Sequence, residues 1–189
     1  NVISGSNAAH NRGVIHRDIK PDNILVADDG RVLLSDLGLA KVISGSNAAG
    51  MPVTRMGLLM GTPEYMSPEQ WEIGAQVGPA ADIWALGATL WMLLTHKPPF
   101  DERDLAVLSR RIREEPLPDI RLIRTDVPDI VSDILQRCLC KKPEDRFASC
   151  GELAAALQIF LMSRAAVIRV DSPAPPPKPT ANYVDDLPL

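Results

Sequence analysis

"GVIHRDIKPDNIL", residues 13–25, gathers two acids, three basic side chains and an amide into eight positions of one short stretch. Asp18 stands between Arg17 and Lys20, and Asn23 follows it by five residues. An aspartate in a loop is usually a turn residue, because its side chain bonds its own backbone two residues on. Here His16, Arg17, Lys20 and Asn23 surround it, and a plain turn requires none of them. Outward from this loop, residues 24–27 and 31–35 are short apolar runs joined by Asp28-Asp29-Gly30, the pattern of a β-hairpin. The hairpin explains the next spacing. It returns the chain to the edge it left, so Asp36 comes back beside Asp18, eighteen residues earlier.

The chain has 189 residues, which suits one domain of ordinary size plus a tail. Hydrophobic residues make up 46%, enough for a sizeable core. A net charge of −4 and an isoelectric point near 5.4 argue against a nucleic-acid-binding surface. The three cysteines, Cys138, Cys140 and Cys150, are an odd set with no second ligand pair nearby. They predict buried structural thiols in a reducing, cytoplasmic setting rather than a disulfide framework or a metal site. The longest apolar run, residues 83–95, is too short for a bilayer span of about 20 residues, so no membrane segment is expected. The chain opens on Asn1 with no secretory signal, which reads as a processed, excised or incomplete start.

The octapeptide "VISGSNAA" occurs at residues 2–9 and again at 42–49. The likeness stops at both ends and no third copy exists, which excludes a solenoid. Residues 1–7 are therefore set apart as an anomalous duplicated segment. Residues 42–62 lack periodicity and predict a long functional loop. Residues 79–95 are apolar on nearly all sides and predict a buried helix. Residues 101–114 and 129–138 predict shorter amphipathic helices, and Ser149 with Glu152 predicts a capping box opening a helix to about residue 166. The end, "DSPAPPPKPTANYVDDLPL", predicts a proline-rich disordered tail, placed at residues 169–189.

Five motifs then occur in order: "HRDIKPDN", "SDLGLAK", "GTPEYMSPE", "DIWALG" and "PEDRF". Together they resemble the C-terminal lobe of a protein kinase, of bacterial or eukaryotic-like type, over about residues 8–160, with the lobe itself placed at residues 8–168. The resemblance implies an α+β kinase-like fold, mainly helical in this lobe, with a short hairpin beside the catalytic loop. It implies a transferase that uses ATP and Mg²⁺. By the same resemblance Asp18 accepts or orients the proton of a substrate hydroxyl, and Lys20 supplies charge where the γ-phosphoryl group moves. Asn23 and Asp36 are the metal ligands, and Leu25 is the apolar floor under adenine. Thr62 meets Asp18 and Lys20, and the pair Lys20 and Thr62 favours serine/threonine over tyrosine substrates. His16 and Arg17 flank the catalytic position. Arg17 would pair with a phosphorylated activation-loop residue, for which Thr54 is the candidate, Met56 occupying a second acceptor position. Gly38 allows a sharp turn, and Leu37 stands where the family carries Phe. Glu69 and Arg146 are expected to form a buried ion pair, and Asp82 to accept backbone N–H groups from the catalytic loop. Met92 replaces an acid often found in kinases that prefer basic substrates.

Only seventeen residues precede Asp18, with no lysine and no glycine-rich phosphate loop. The expectation is a fragment whose N-terminal ATP-binding lobe belongs to the same longer polypeptide, inactive alone, with serine- or threonine-bearing proteins as substrates. The alternatives are a non-catalytic kinase-like interaction module and a small-molecule phosphotransferase. The intact Asp18, Lys20, Asn23 and Asp36 weigh against the first, and "GTPEYMSPE" against the second.

Overall fold

The computed structural model describes residues 2–35, 41–42 and 61–170, with side chains at 2–35 and 61–163. The central element is the helix α2, Ala80–Thr95. Its apolar residues leave no polar face, and ten of its sixteen residues are buried, so it lies inside the domain rather than on it. Trp84 and Trp91, two turns apart on one face, are both buried. Trp84 stacks on Phe100 with the ring centres 6.4 Å apart. The helix stops at His96, whose left-handed φ of 60° caps it with a bond from its N–H to the Met92 carbonyl.

Around α2 pack α3, Leu105–Glu114, and α4, Asp129–Cys138. The expected start of α3 at residue 101 is four residues early. Asp104 is the N-cap, its carboxylate accepting from Ala106 N at 2.8 Å and Val107 N at 3.0 Å. Close approach of α4 to α2 depends on Gly87, where an added Cβ would lie 2.5 Å from the Cys138 Cβ. The helix α5, Cys150–Val170, begins at the capping serine, with Glu152 N donating to Ser149 Oγ at 3.1 Å. The return arm of the box reaches one residue further back, to Ala148 N at 2.7 Å. The helix also runs past residue 166, through the first two residues assigned to the tail. Residues 171–189 lie outside the described residues.

Residues 2–7, set apart in the sequence reading, form the first turns of α1, Val2–His10. Val2 and Ser6, one turn apart, are buried, and Asn7 Oδ1 accepts from Gly151 N at 3.0 Å, serving the open end of α5. Of the second copy only Val42 is described, and it is a strand residue. Identical local sequence thus takes two conformations at its first valine, because packing on α5 in one place and strand pairing in the other outweigh propensity.

Among the described residues the strands form two antiparallel ribbons. β2, Ile24–Val26, pairs with β3, Val32–Leu34, with Leu25 opposite Leu33. Gly30, at φ 79°, closes the turn by donating to the Ala27 carbonyl. Ile24, Val32 and Leu34 pack against the core, while Leu25 and Leu33 remain about half exposed. β1, Val14–Ile15, pairs with β4, Lys41–Val42. The sequence reading missed this ribbon, since two residues carry no period. Among the described residues no helix is long and apolar enough to cross a membrane.

Candidate functional site

The loop 16–23 is anchored from below by Asp82, in the first turn of α2 and fully buried. Its carboxylate accepts from His16 N at 2.9 Å, Arg17 N at 2.8 Å and the His10 ring at 2.7 Å. Three donors satisfy a carboxylate that has been taken out of water. Arg17 is bent into the left-handed region, φ 70°, which is costly for a residue with a long side chain. The two backbone bonds to Asp82 hold this bend. His16 is buried and ties the loop to the end of β3. Its Nε2 lies 3.0 Å from the Ser35 carbonyl, and its Nδ1 accepts from Asp18 N at 3.3 Å, a pattern that requires the Nε2–H tautomer.

Asp18 is thereby turned toward Lys20, Asn23 and Thr62. Its Oδ1 accepts from Thr62 N at 3.0 Å and Thr62 Oγ1 at 3.2 Å. Its Oδ2 accepts from Asn23 Nδ2 at 3.1 Å and lies 3.3 Å from Lys20 Nζ. Lys20 Nζ also donates to Thr62 Oγ1 at 2.7 Å. Asn23 gives its second amide proton to the Asp18 carbonyl at 2.8 Å. With both protons engaged, the amide oxygen is the atom of Asn23 left to meet a hard cation. Four contacts on one carboxylate, one of them from a lysine, make a site suited to receiving a hydroxyl proton beside a transferring anion.

Gly61, at φ 113°, passes so close to the loop that an added Cβ would lie 3.3 Å from the Arg17 carbonyl and 3.6 Å from Asp18 Oδ1. Gly61 is thus the residue that brings its neighbour Thr62 in to Asp18, a role that nothing in its motif marks. The sequence reading likewise passed over His10 and Ser35, whose only sequence signal is a polar side chain or carbonyl at the end of an element.

The Arg17 side chain has its Nη2 3.4 Å from the Val77 carbonyl, and its buried Nε finds no partner among the described residues. Burial pulls its pKa down, against the attraction of Asp82. Thr54, assigned to it as a phosphorylated partner, lies outside the described residues, as do Asp36, Leu37 and Gly38. Glu69, in the 3-10 turn Pro68–Trp71, meets Arg146 in a two-pronged ion pair, both contacts 2.8 Å. Leu25 presents its side chain away from the core, beside Leu33 on the same face of the hairpin. The thiols of Cys138 and Cys150 are buried, and burial pushes both pKa values up, that of Cys150 to about 12. Cys140 is half-buried and its thiol is pushed up for the same reason.

A profile of the protein kinase domain matches residues 1–158. The chain is 41% identical over 166 residues to the serine/threonine-protein kinase Pkn1 of Myxococcus xanthus, covering 85% of this chain and 23% of that protein. It is 36% identical over 150 residues to the serine/threonine-protein kinase PknA of Mycobacterium tuberculosis, covering 79% of this chain and 32% of that protein. A probable serine/threonine-protein kinase PknB of Corynebacterium glutamicum is 32% identical over 189 residues, covering 96% of this chain and 29% of that protein. The chain thus spans 23–32% of the length of these relatives.

Proposed function

The chain belongs to the protein kinase domain family, and we propose that it forms the substrate side of a serine/threonine protein kinase that moves the γ-phosphoryl group of ATP to protein hydroxyls. The observation that carries the reading is the cluster in which Thr62 binds both Asp18 and Lys20 while Asn23 steadies Asp18. Phosphoryl transfer needs positioned charge more than covalent help from the protein. Asp18 takes the proton of the attacking serine or threonine hydroxyl as the new P–O bond forms and ADP leaves. Its lone pairs are already engaged by four contacts, so one must yield. The Lys20 contact, at 3.3 Å the longest, is the one that exchanges. Lys20 then follows the phosphoryl charge and the substrate hydroxyl takes its place at Oδ2.

Asn23 fits Mg²⁺ through its free amide oxygen, and Asp36 is proposed as the second ligand from its sequence position. When bound, the ion neutralises phosphate charge. The exposed Leu25 and Leu33 pair supports an apolar seat for the adenine ring. The glycine-rich loop and lysine that hold the phosphates in this family would come from outside these residues.

The test joins this chain to a nucleotide-holding lobe and measures peptide phosphorylation. Asp18→Asn is expected to lower kcat by roughly 10²- to 10⁴-fold, the range for losing a positioned proton acceptor, with Mg·ATP affinity nearly unchanged. Asp36→Asn is expected to weaken Mg·ATP binding as well. Full turnover by the Asp18→Asn protein would overturn the assignment.

A further inference from the structure

The helix α5 differs from its neighbours in what it turns outward. On α3 and α4 the exposed positions include Arg110, Arg113, Asp133 and Gln136, polar groups that water satisfies. On α5 Leu153 is buried, and Ala156, Leu157 and Phe160 pack against the core, so one face is committed to the domain. The side that remains is apolar as well. Ile159, Leu161 and Met162, within a single turn, are 63%, 63% and 62% exposed. Ile159 and Met162 follow the exposed Ala155 at i+4 and i+7, the spacing of one stripe on a helix. A helix apolar on both faces belongs in a setting that buries both. Single apolar residues are common on protein surfaces, but a contiguous run of them marks a contact.

The charge of this stretch says what kind of surface covers it. Residues 153–170 hold no aspartate or glutamate and two arginines, Arg164 and Arg169, in a chain whose net charge is −4. Three apolar side chains remove roughly 100 Å² apiece from water, far below the roughly 800 Å² that each partner of a stable protein pair buries. A second protein is therefore a poor cover. A lipid surface needs no shape match. It takes a helix lying in its plane, with apolar residues at the acyl boundary and basic residues among anionic headgroups. An arginine reaches those headgroups from most positions on such a helix, because its stem is long and apolar. Among the described residues no helix is long and apolar enough to cross a bilayer, so the contact runs along the interface and not through it.

We propose that the C-terminal part of α5, residues 159–170, is an interfacial anchor for a bilayer surface rich in anionic lipid, with Ile159, Leu161 and Met162 inserted and Arg164 and Arg169 serving the headgroups. Three side chains and two charges make a shallow, reversible seat. The inference goes beyond the kinase reading and does not rest on it.

The full chain is sedimented with vesicles of phosphatidylcholine alone, and with vesicles of the same lipid mixed with phosphatidylglycerol. Two arginines near an anionic surface are expected to strengthen partitioning roughly 30-fold over the neutral vesicle, and raised salt to remove most of that gain. Arg164→Gln with Arg169→Gln is expected to bring the two vesicles level. Ile159→Glu and Met162→Glu are each expected to weaken binding at least about tenfold. Leu122→Glu changes a leucine that is 82% exposed in the turn Ile120–Leu122, away from α5, and is expected to leave binding unchanged. Equal binding of the wild-type chain to both vesicles, binding to neither, wild-type binding by the two α5 glutamate variants, or an equal loss in Leu122→Glu would each overturn the proposal. So would an anionic preference that survives removal of both arginines. Self-association in solution that Met162→Glu abolishes, with no vesicle binding, would give the face to a second copy of the chain instead.

Discussion

Replacing Arg146 by methionine should be among the most damaging single changes in the chain. Arg146 is 2% exposed and Glu69 is 8% exposed. All five guanidinium N–H donors are used: two on Glu69, and one each on the carbonyls of Ala80, Cys140 and Lys141, at 2.8 to 3.0 Å. Methionine conserves most of the volume but strands a carboxylate with almost no water around it. Breaking one side of a buried pair costs about 3–5 kcal/mol, most of it the burden of the remaining charge. For a chain of this size that lowers Tm by roughly 10 °C. The double change Glu69→Leu with Arg146→Met removes the stranded charge and should be milder than Arg146→Met alone, with a coupling of at least about 2 kcal/mol. Urea denaturation of wild type, both single variants and the double variant closes the cycle. A loss below about 1 kcal/mol for Arg146→Met, or a double variant equal to the sum of the singles, would refute the reasoning.

The pH dependence of Lys141 offers a second check. Burial pulls its pKa down to about 8, against the attraction of Glu115, while its Nζ donates to the Ile112 carbonyl and sits 4.2 Å from the Phe100 ring centre. The unfolded chain therefore holds more protons than the folded one between about pH 8 and 10.4, and this group's contribution to stability rises with pH across that window. The raised Cys138 and Cys150 thiols work the other way above about pH 9, but they are common to wild type and Lys141→Met. The difference in Tm between the two should thus shift in favour of wild type from pH 7.5 to 10, and a flat difference would exclude the shift. Gly87→Ala should destabilise the fold by about 1–2 kcal/mol. The helix-propensity gain of roughly 1 kcal/mol is outweighed by overpacking, since a Cβ 2.5 Å from the Cys138 Cβ forces α2 and α4 apart. Adding Cys138→Ala should not rescue it, because alanine keeps the clashing carbon; calorimetry that finds Gly87→Ala neutral would contradict the close approach.

The sequence made legible whatever depends on period and on motif. The all-apolar run became α2, residues 129–138 became α4 without adjustment, and the Asp28-Asp29-Gly30 turn joined β2 to β3. The cluster of Asp18, Lys20, Asn23 and Thr62 is also assembled. What was not legible depends on residues far apart in sequence. β1 pairs with β4 across twenty-five residues with two residues each, too few for a pattern. Residues 1–7 read as foreign because the helical packing of this segment on α5 involves residues some 140 positions away, such as Gly151. His10 carried no motif either, since its meaning lies in Asp82, seventy-two positions on.

The first turn of α2 carries both sides of the candidate site. Asp82 holds the backbone from which Asp18 projects, and the Ala80 carbonyl, two residues earlier, holds the Arg146 that grips Glu69 in the segment following Thr62. The turn therefore acts as a common datum, like one bench carrying both arms of an interferometer. A displacement of α2 as a whole carries Asp18 and the Thr62 segment in the same direction and cancels from the distance between them. Only a motion that distorts this one turn appears in that difference. Positional noise from the rest of the lobe is rejected, and the cost of that arrangement is that damage to a single helical turn misaligns both sides together.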